Sequence, residues 1–112
     1  METIFKICPA ADWRQAVRTG HYVGSAVDRA DGFIHLSAAH QVRETAARHF
    51  AGMEGLMLVA FPADLDHLRW EPSRGGALFP HVYGPLPADR ALWAKPLPLV
   101  DGRHDFPPEV AA

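Results

Sequence analysis

Hydrophobic and polar positions alternate at the start of the chain. Phe5 and Ile7 flank Lys6, and this period of two over Ile4–Cys8 predicts a first strand. The period then lengthens: after Pro9, Trp13, Ala16 and Val17 recur at helical spacing and Gly20 supplies a stop, which predicts a helix. Gly24-Ser25 and the run from Asp28 to Gly32 have the composition of turns. Phe33-Ile34-His35-Leu36 predicts a second strand. Ser37 is placed to cap the next helix, in which Val42, Ala46 and Phe50 repeat every four residues and Glu44 and Arg48 form a surface pair. The unbroken apolar run Leu56–Phe61 marks a central strand buried on both faces, with Pro62 as its end. Leu68–Glu71, Leu78–Tyr83 and Ala91–Lys95 predict further short strands, separated by Gly75-Gly76 and by the corner Gly84-Pro85-Leu86-Pro87.

With helices early and strands late, the order favours an α+β fold over a doubly wound sheet. The expected architecture is two early helices on a small, strongly twisted, mostly antiparallel sheet of five to six short strands. A chain of 112 residues suits one domain. Its ordered core is expected over residues 3–106, with Pro107-Pro108 opening a ragged tail, 107–112.

Composition narrows the function classes. Hydrophobic residues at 48% and charged ones at 21% describe a folding globular chain and exclude a disordered tail. The 11 basic and 13 acidic side chains are interspersed, so neither bulk nucleic acid nor an anionic membrane finds a charged footprint. No protein partner is legible, and a small anionic metabolite or nucleotide is the expected ligand. Cys8 is the single cysteine, which rules out an intramolecular disulfide. With no basic leader and no run of membrane-spanning length, a cytoplasmic location is expected.

Candidate chemistry follows from strand parity, because side chains two apart share a face. His35 and Ser37 point one way while Ile34 and Leu36 point to a core. His81 and Tyr83 join Phe79 opposite Val82, Arg69 and Glu71 stand opposite Trp70, and Lys6 stands opposite Phe5 and Ile7. If these polar faces meet, they build a small-ligand cleft. Each residue also has a structural reading. The two histidines can be half-buried groups bonded to backbone, and Ser37 a helix cap. Tyr83 can be an aromatic corner, Glu71 a solvated strand-end charge, and Trp13 core. Arg74-Gly75-Gly76 can cradle an anion or form a flexible hairpin, but without a following lysine and serine or threonine it is no P-loop. No metal site is expected: a strand-to-helix break separates His35 from His40, and no Cys/His cluster accompanies them. Cys8, at the end of an apolar strand, reads as a small buried hydrophobe.

The runs Asp31-Gly32-Phe33-Ile34-His35-Leu36-Ser37 and Phe79-Pro80-His81-Val82-Tyr83-Gly84-Pro85-Leu86, with Ile4-Phe5-Lys6-Ile7 and Trp13, resemble a bacterial family known as domain of unknown function 952. The resemblance spans residues 3 to about 106 and carries no activity. More distantly, the order strand, helix, Gly-x-x-His-Leu-Ser strand, helix, apolar strand is similar to the RNA 2′-phosphotransferases, which share the ADP-ribosyltransferase fold. That similarity implies a split sheet with a central cleft, an NAD-derived or ribose-phosphate substrate, and His35 against the nicotinamide nucleotide.

On this resemblance, which matches His35, together with the polar faces if they converge, His35, Ser37, Glu71 and His81 form the expected catalytic set. His35 would bond a ribose hydroxyl, Ser37 would orient it, and His81 or Glu71 would stabilise positive charge at the sugar carbon. Lys6, Trp13, Arg74 and Tyr83 form the substrate-binding set, with Lys6 or Arg74 on phosphate and Tyr83 stacked on the ring. NAD is the one cofactor-like molecule implied. The sequence departs from the transferases in its first strand, where they place a histidine before glycine and this chain has Lys6-Ile7. The departure keeps a second expectation open, a non-catalytic nucleotide- or metabolite-binding module of the same fold.

Overall fold

The computed structural model describes residues 2–110. In chain order its elements are β1 (Thr3–Pro9), α1 (Ala10–Thr19), β2 (His21–Tyr22), α2 (Ala26–Asp31), β3 (Ile34–His35), β4 (Ser37–Ala38), α3 (Val42–His49), β5 (Leu56–Pro62), β6 (Leu68–Pro72), β7 (Leu78–Val82), β8 (Leu86–Pro87), β9 (Trp93–Leu97), β10 (Leu99–Val100) and β11 (Arg103–His104). The fold is α+β with antiparallel pairing throughout. The strands do not form one sheet of five or six. They form a four-stranded sheet in the order β4-β1-β5-β9, a three-stranded sheet β3-β7-β6, and two short ribbons, β2-β8 and β10-β11.

β1 and β5 pair along seven residues, with Ile4 opposite Phe61, Lys6 opposite Val59 and Cys8 opposite Met57. Register partners share a face, so Ile4, Cys8, Val59 and Phe61 enter one core cluster with Trp13 and Ala16 of α1. Phe5, Ile7, Leu58 and Ala60 enter a second cluster, under Val42 and Ala46 of α3. Sheet burial on both faces explains why Leu56–Phe61 reads as a continuous apolar run. Parity also puts Lys6, a charged side chain, in the middle of the apolar first face, where it is only 6% exposed.

Four local expectations are corrected. The glycine-rich stretch before His35 is not turn throughout but contains α2. Ser25 and Asp28 form a reciprocal capping box at its start, and Gly32, in the left-handed conformation at φ 83°, ends it. Ser37 caps no helix, because it is a strand residue: at Leu36 the chain passes from one sheet to the other, β3 pairing with β7 and β4 with β1. The N-cap of α3 is Gln41, whose side chain instead accepts from the Ala38 amide and donates to the Leu78 carbonyl. The last long strand begins at Trp93 rather than Ala91, since residues 88–90 form a 3-10 turn. Finally, the chain stays packed beyond Pro108, for Val110 is 2% exposed in the second cluster. Residues 111 and 112 of the expected tail lie outside the described residues.

Candidate functional site

The crossing at Leu36 positions the site. His35 sits on the last paired residue of β3 and Ser37 on the first of β4, so both face the space between the two sheets while Ile34 and Leu36 are buried. A cleft of about 1260 Å³ opens there, walled by α1, the loop into α2, β3–β4 and α3. Lys6, His35, Ser37, Arg74 and His81 all line it. The polar faces expected from parity therefore converge for Lys6, His35, Ser37 and His81, and Arg74 joins them from the loop before β7.

At the centre is a residue from the run with turn composition. Asp28 is 3% exposed, and its carboxylate accepts four hydrogen bonds. Oδ2 takes Lys6 Nζ and the Ser25 amide, each at 2.9 Å. Oδ1 takes His35 Nδ1 at 2.6 Å and the His35 amide at 3.1 Å. Burial by itself would raise the Asp28 carboxyl, but the His35 hydrogen bond, the Lys6 charge and the Ser25 amide together hold it well below the usual carboxylate range. One carboxylate thus neutralises the lysine on β1, orients the imidazole on β3 and caps α2. Serine followed three residues later by aspartate is a capping-box signature, so a helix start was legible there; the cross-strand role was not.

Lys6 also donates to the His35 carbonyl at 2.9 Å, so two of its three donors are taken inside the protein. The outer nitrogen of His35, Nε2, meets Asp31 Oδ2 at 2.9 Å, and the Asp31 side chain is 48% exposed. Both ring nitrogens of His35 therefore face carboxylates.

His81 stands opposite His35 in the β3–β7 register, with ring centroids 5.5 Å apart. Its Nδ1 bonds Glu71 Oε1 at 2.8 Å, and the Tyr83 hydroxyl donates to the same oxygen at 2.7 Å. The Tyr83 bond first and the His81 bond second hold the Glu71 carboxyl below its ordinary value, while the bond to Glu71 raises the Tyr83 phenol. Neither Glu71 nor Tyr83 lines the cleft; they stand behind His81, and Arg69 lies over the Tyr83 ring at 5.4 Å. Phe33, which the sequence reading passed over, stacks on His81 with centroids 4.2 Å apart and tilts against His35 at 4.7 Å.

At the α3 end, Arg74 lies over the Phe79 ring at 4.8 Å. It contacts His49 Nε2 at 3.3 Å and Thr45 Oγ1 at 3.4 Å, and the Thr45 hydroxyl is within 2.9 Å of Ser37 Oγ. The nearest carboxylate to this guanidinium, on exposed Glu44, is 3.8 Å away. Trp13 takes no part in the cleft. It is 7% exposed and meets Phe61 edge to face. Cys8 is buried, and burial pushes its thiol up to about 12, against the opposing effect of Lys6. That thiol is no nucleophile at neutral pH. Among the described residues, no three of His, Cys, Asp and Glu gather as a metal set. No described helix is long and apolar enough to cross a membrane.

A family model described as protein of unknown function (DUF952) matches residues 7–94, which contain every cleft residue discussed above except Lys6. The chain belongs to the DUF952 family. The crystal structure of the Caulobacter crescentus protein CC0527 is similar, at 47% sequence identity and a TM-score of 0.88, over 92% of this chain and 93% of that one. The solution structure of CC0527 matches at 46% identity and a TM-score of 0.83, over 93% of this chain and 91% of that one. No curated protein matches. The DUF952 assignment thus fixes kinship and leaves the chemistry to the cleft itself.

Proposed function

We propose that the cleft binds an NAD-derived or other ribose-phosphate ligand, and that the protein transfers a group from it in the manner of the ADP-ribosyltransferase fold. The observation that carries this reading is the pairing, in one cleft, of an arginine whose carboxylate neighbour, exposed Glu44, stands off at 3.8 Å, and a histidine on a carboxylate frame. Arg74, with the Thr45 and Ser37 hydroxyls beside it, offers charge-assisted donors to a phosphate. Asp31, half-exposed and held by His35 Nε2, offers an acceptor to a sugar hydroxyl. The half-buried Phe50 and the exposed Val23 and Val27 supply an apolar wall for a base. Of the two cations considered for phosphate, Arg74 is the better placed, because Lys6 is held by Asp28 and the His35 carbonyl.

The same fixed Lys6 favours a second reading, a binding module of this fold without transfer chemistry. The lysine stands where the transferases that the sequence distantly resembles carry a histidine, and its hydrogen bonds run inward.

A thermal-shift titration with NAD, ADP-ribose and a 2′-phosphorylated oligoribonucleotide tests the reading on wild type, Arg74→Ala and His35→Ala. A ligand at about 100 times its dissociation constant stabilises by about 2.7 kcal/mol, or several degrees at this size. A rise in wild type that both variants lose is the expected result. A rise that survives both, or no rise with any of the three, refutes the ligand class. Binding without nicotinamide release or phosphate transfer would decide for the non-catalytic module.

A further inference from the structure

The two imidazoles of the cleft are framed differently. Each ring nitrogen of His35 faces a carboxylate oxygen, Nδ1 on Asp28 and Nε2 on Asp31. A carboxylate only accepts, so His35 is built to donate at both edges. His81 has one such partner, Glu71, at Nδ1. Glu71 receives the Tyr83 hydroxyl on the same oxygen, which makes it an acceptor toward His81 as well. In the neutral His81 ring the proton therefore sits on Nδ1, and Nε2 carries the free lone pair.

β7 runs between β3 and β6, and Nδ1 is held by Glu71 on β6. His81 is 4% exposed, lines the cleft, and has its ring centroid 5.5 Å from that of His35 on β3. Phe33, stacked on the ring at an interplanar angle of 23°, fixes its plane.

We infer that His81 is the proton acceptor of the cleft, with Glu71 as its positioning residue, and that the attacking group is one that must lose a proton, an alcohol hydroxyl or water. A phosphate oxygen arrives as an anion and needs no such base. The inference rests on the transfer reading above and gives it an acceptor class. With NAD as donor, the hydroxyl oxygen bonds to the ribose C1′ as the bond from C1′ to the nicotinamide nitrogen breaks. The electron pair of that bond leaves on the nicotinamide, which was cationic and departs neutral. The hydroxyl proton passes to His81 Nε2 and from there to solvent.

Two measurements test this independently. Long-range 1H–15N correlation spectra of histidine-labelled protein read the tautomer directly, with no ligand present. Wild-type His81 is expected as the Nδ1–H form, and Glu71→Ala is expected to shift it toward the Nε2–H form that free histidine prefers. A proton on Nε2 in wild type, or a tautomer that Glu71→Ala leaves unmoved, overturns the assignment. The second measurement compares release of nicotinamide from NAD to water or methanol with transfer to a 2′-phosphorylated oligoribonucleotide. His81→Gln should slow the first by about 10²–10⁴-fold, and by at least about ten-fold more than it slows the second. An equal loss with both acceptors overturns the acceptor class. No turnover with any acceptor removes the transferase reading and the acceptor class with it, while the spectrum still decides whether His81 is a positioned base.

Discussion

The residue on which the site turns is Asp28. Replacing it with alanine leaves Lys6 charged and without its partner inside an apolar face, and deprives His35 of its inner acceptor. Breaking a buried pair in this way costs about 3–5 kcal/mol, so Asp28→Ala should unfold at markedly lower denaturant concentration than wild type. The same carboxylate predicts a pH dependence. Its folded-state affinity for protons is depressed, so it contributes stability that is fully present above the unfolded carboxyl value, near pH 4. That contribution is lost as pH falls from about 4 toward the lower folded value. Urea midpoints measured from pH 6 downward should fall for wild type below about pH 4. In Asp28→Asn this part of the fall should be missing. At this scale the sequence disclosed which residues are polar on an apolar strand, Lys6 above all, and left the partner unnamed. Asp28 is 22 positions away and looks like any turn aspartate until β1 and α2 are brought together.

At the scale of elements, α2 is held less by its own length than by its ends. It has six residues, too few for independent helical stability, and depends on the Ser25–Asp28 capping box. Ser25→Ala should cost about 1 kcal/mol in chemical unfolding. Gly24 is more constrained. At φ 102° it adopts a conformation that side chains avoid, and an added Cβ would meet Asp28 Cβ at 2.9 Å. Gly24→Ala therefore combines strain with a displaced Asp28, and should destabilise by about 1–3 kcal/mol while weakening any ligand that depends on His35. A Gly24→Ala protein as stable as wild type would show that the Gly24–Asp28 approach is not a constraint. Periodicity was sufficient for β1, α1, α3 and β5, where long patterns sit against a core. It failed for residues 33–38, where one run of strand-like residues serves two sheets, because pairing partners and not local pattern decide where a strand changes sheets.

For the molecule as a whole, the β1–β5 pair is a partition between two cores, and the C-terminal segment closes the second of them. Phe106 packs against that cluster, Val110 is buried in it, and Lys95 pairs with Glu109. Truncation after Phe106 should therefore lower stability by about 1–2 kcal/mol from the lost Val110 burial, seen as several degrees in melting temperature. An unchanged melting temperature would mean that the segment is only draped on the surface. The sequence by itself determined the α+β class, the antiparallel pairing of short strands, the central strand at residues 56–61 and the faces on which His35, Ser37, His81 and Lys6 stand. These follow from backbone geometry, since a period of two or of 3.6 residues assigns sides without reference to any partner. Only the tertiary structure decided that the strands divide into a four-stranded sheet, a three-stranded sheet and two ribbons, that Asp28 ties Lys6 to His35, and that Glu71 and Tyr83 stand behind His81 while Trp13 joins the core. Each of these depends on which distant segments meet, and a buried charge finds its counterion in space, not along the chain.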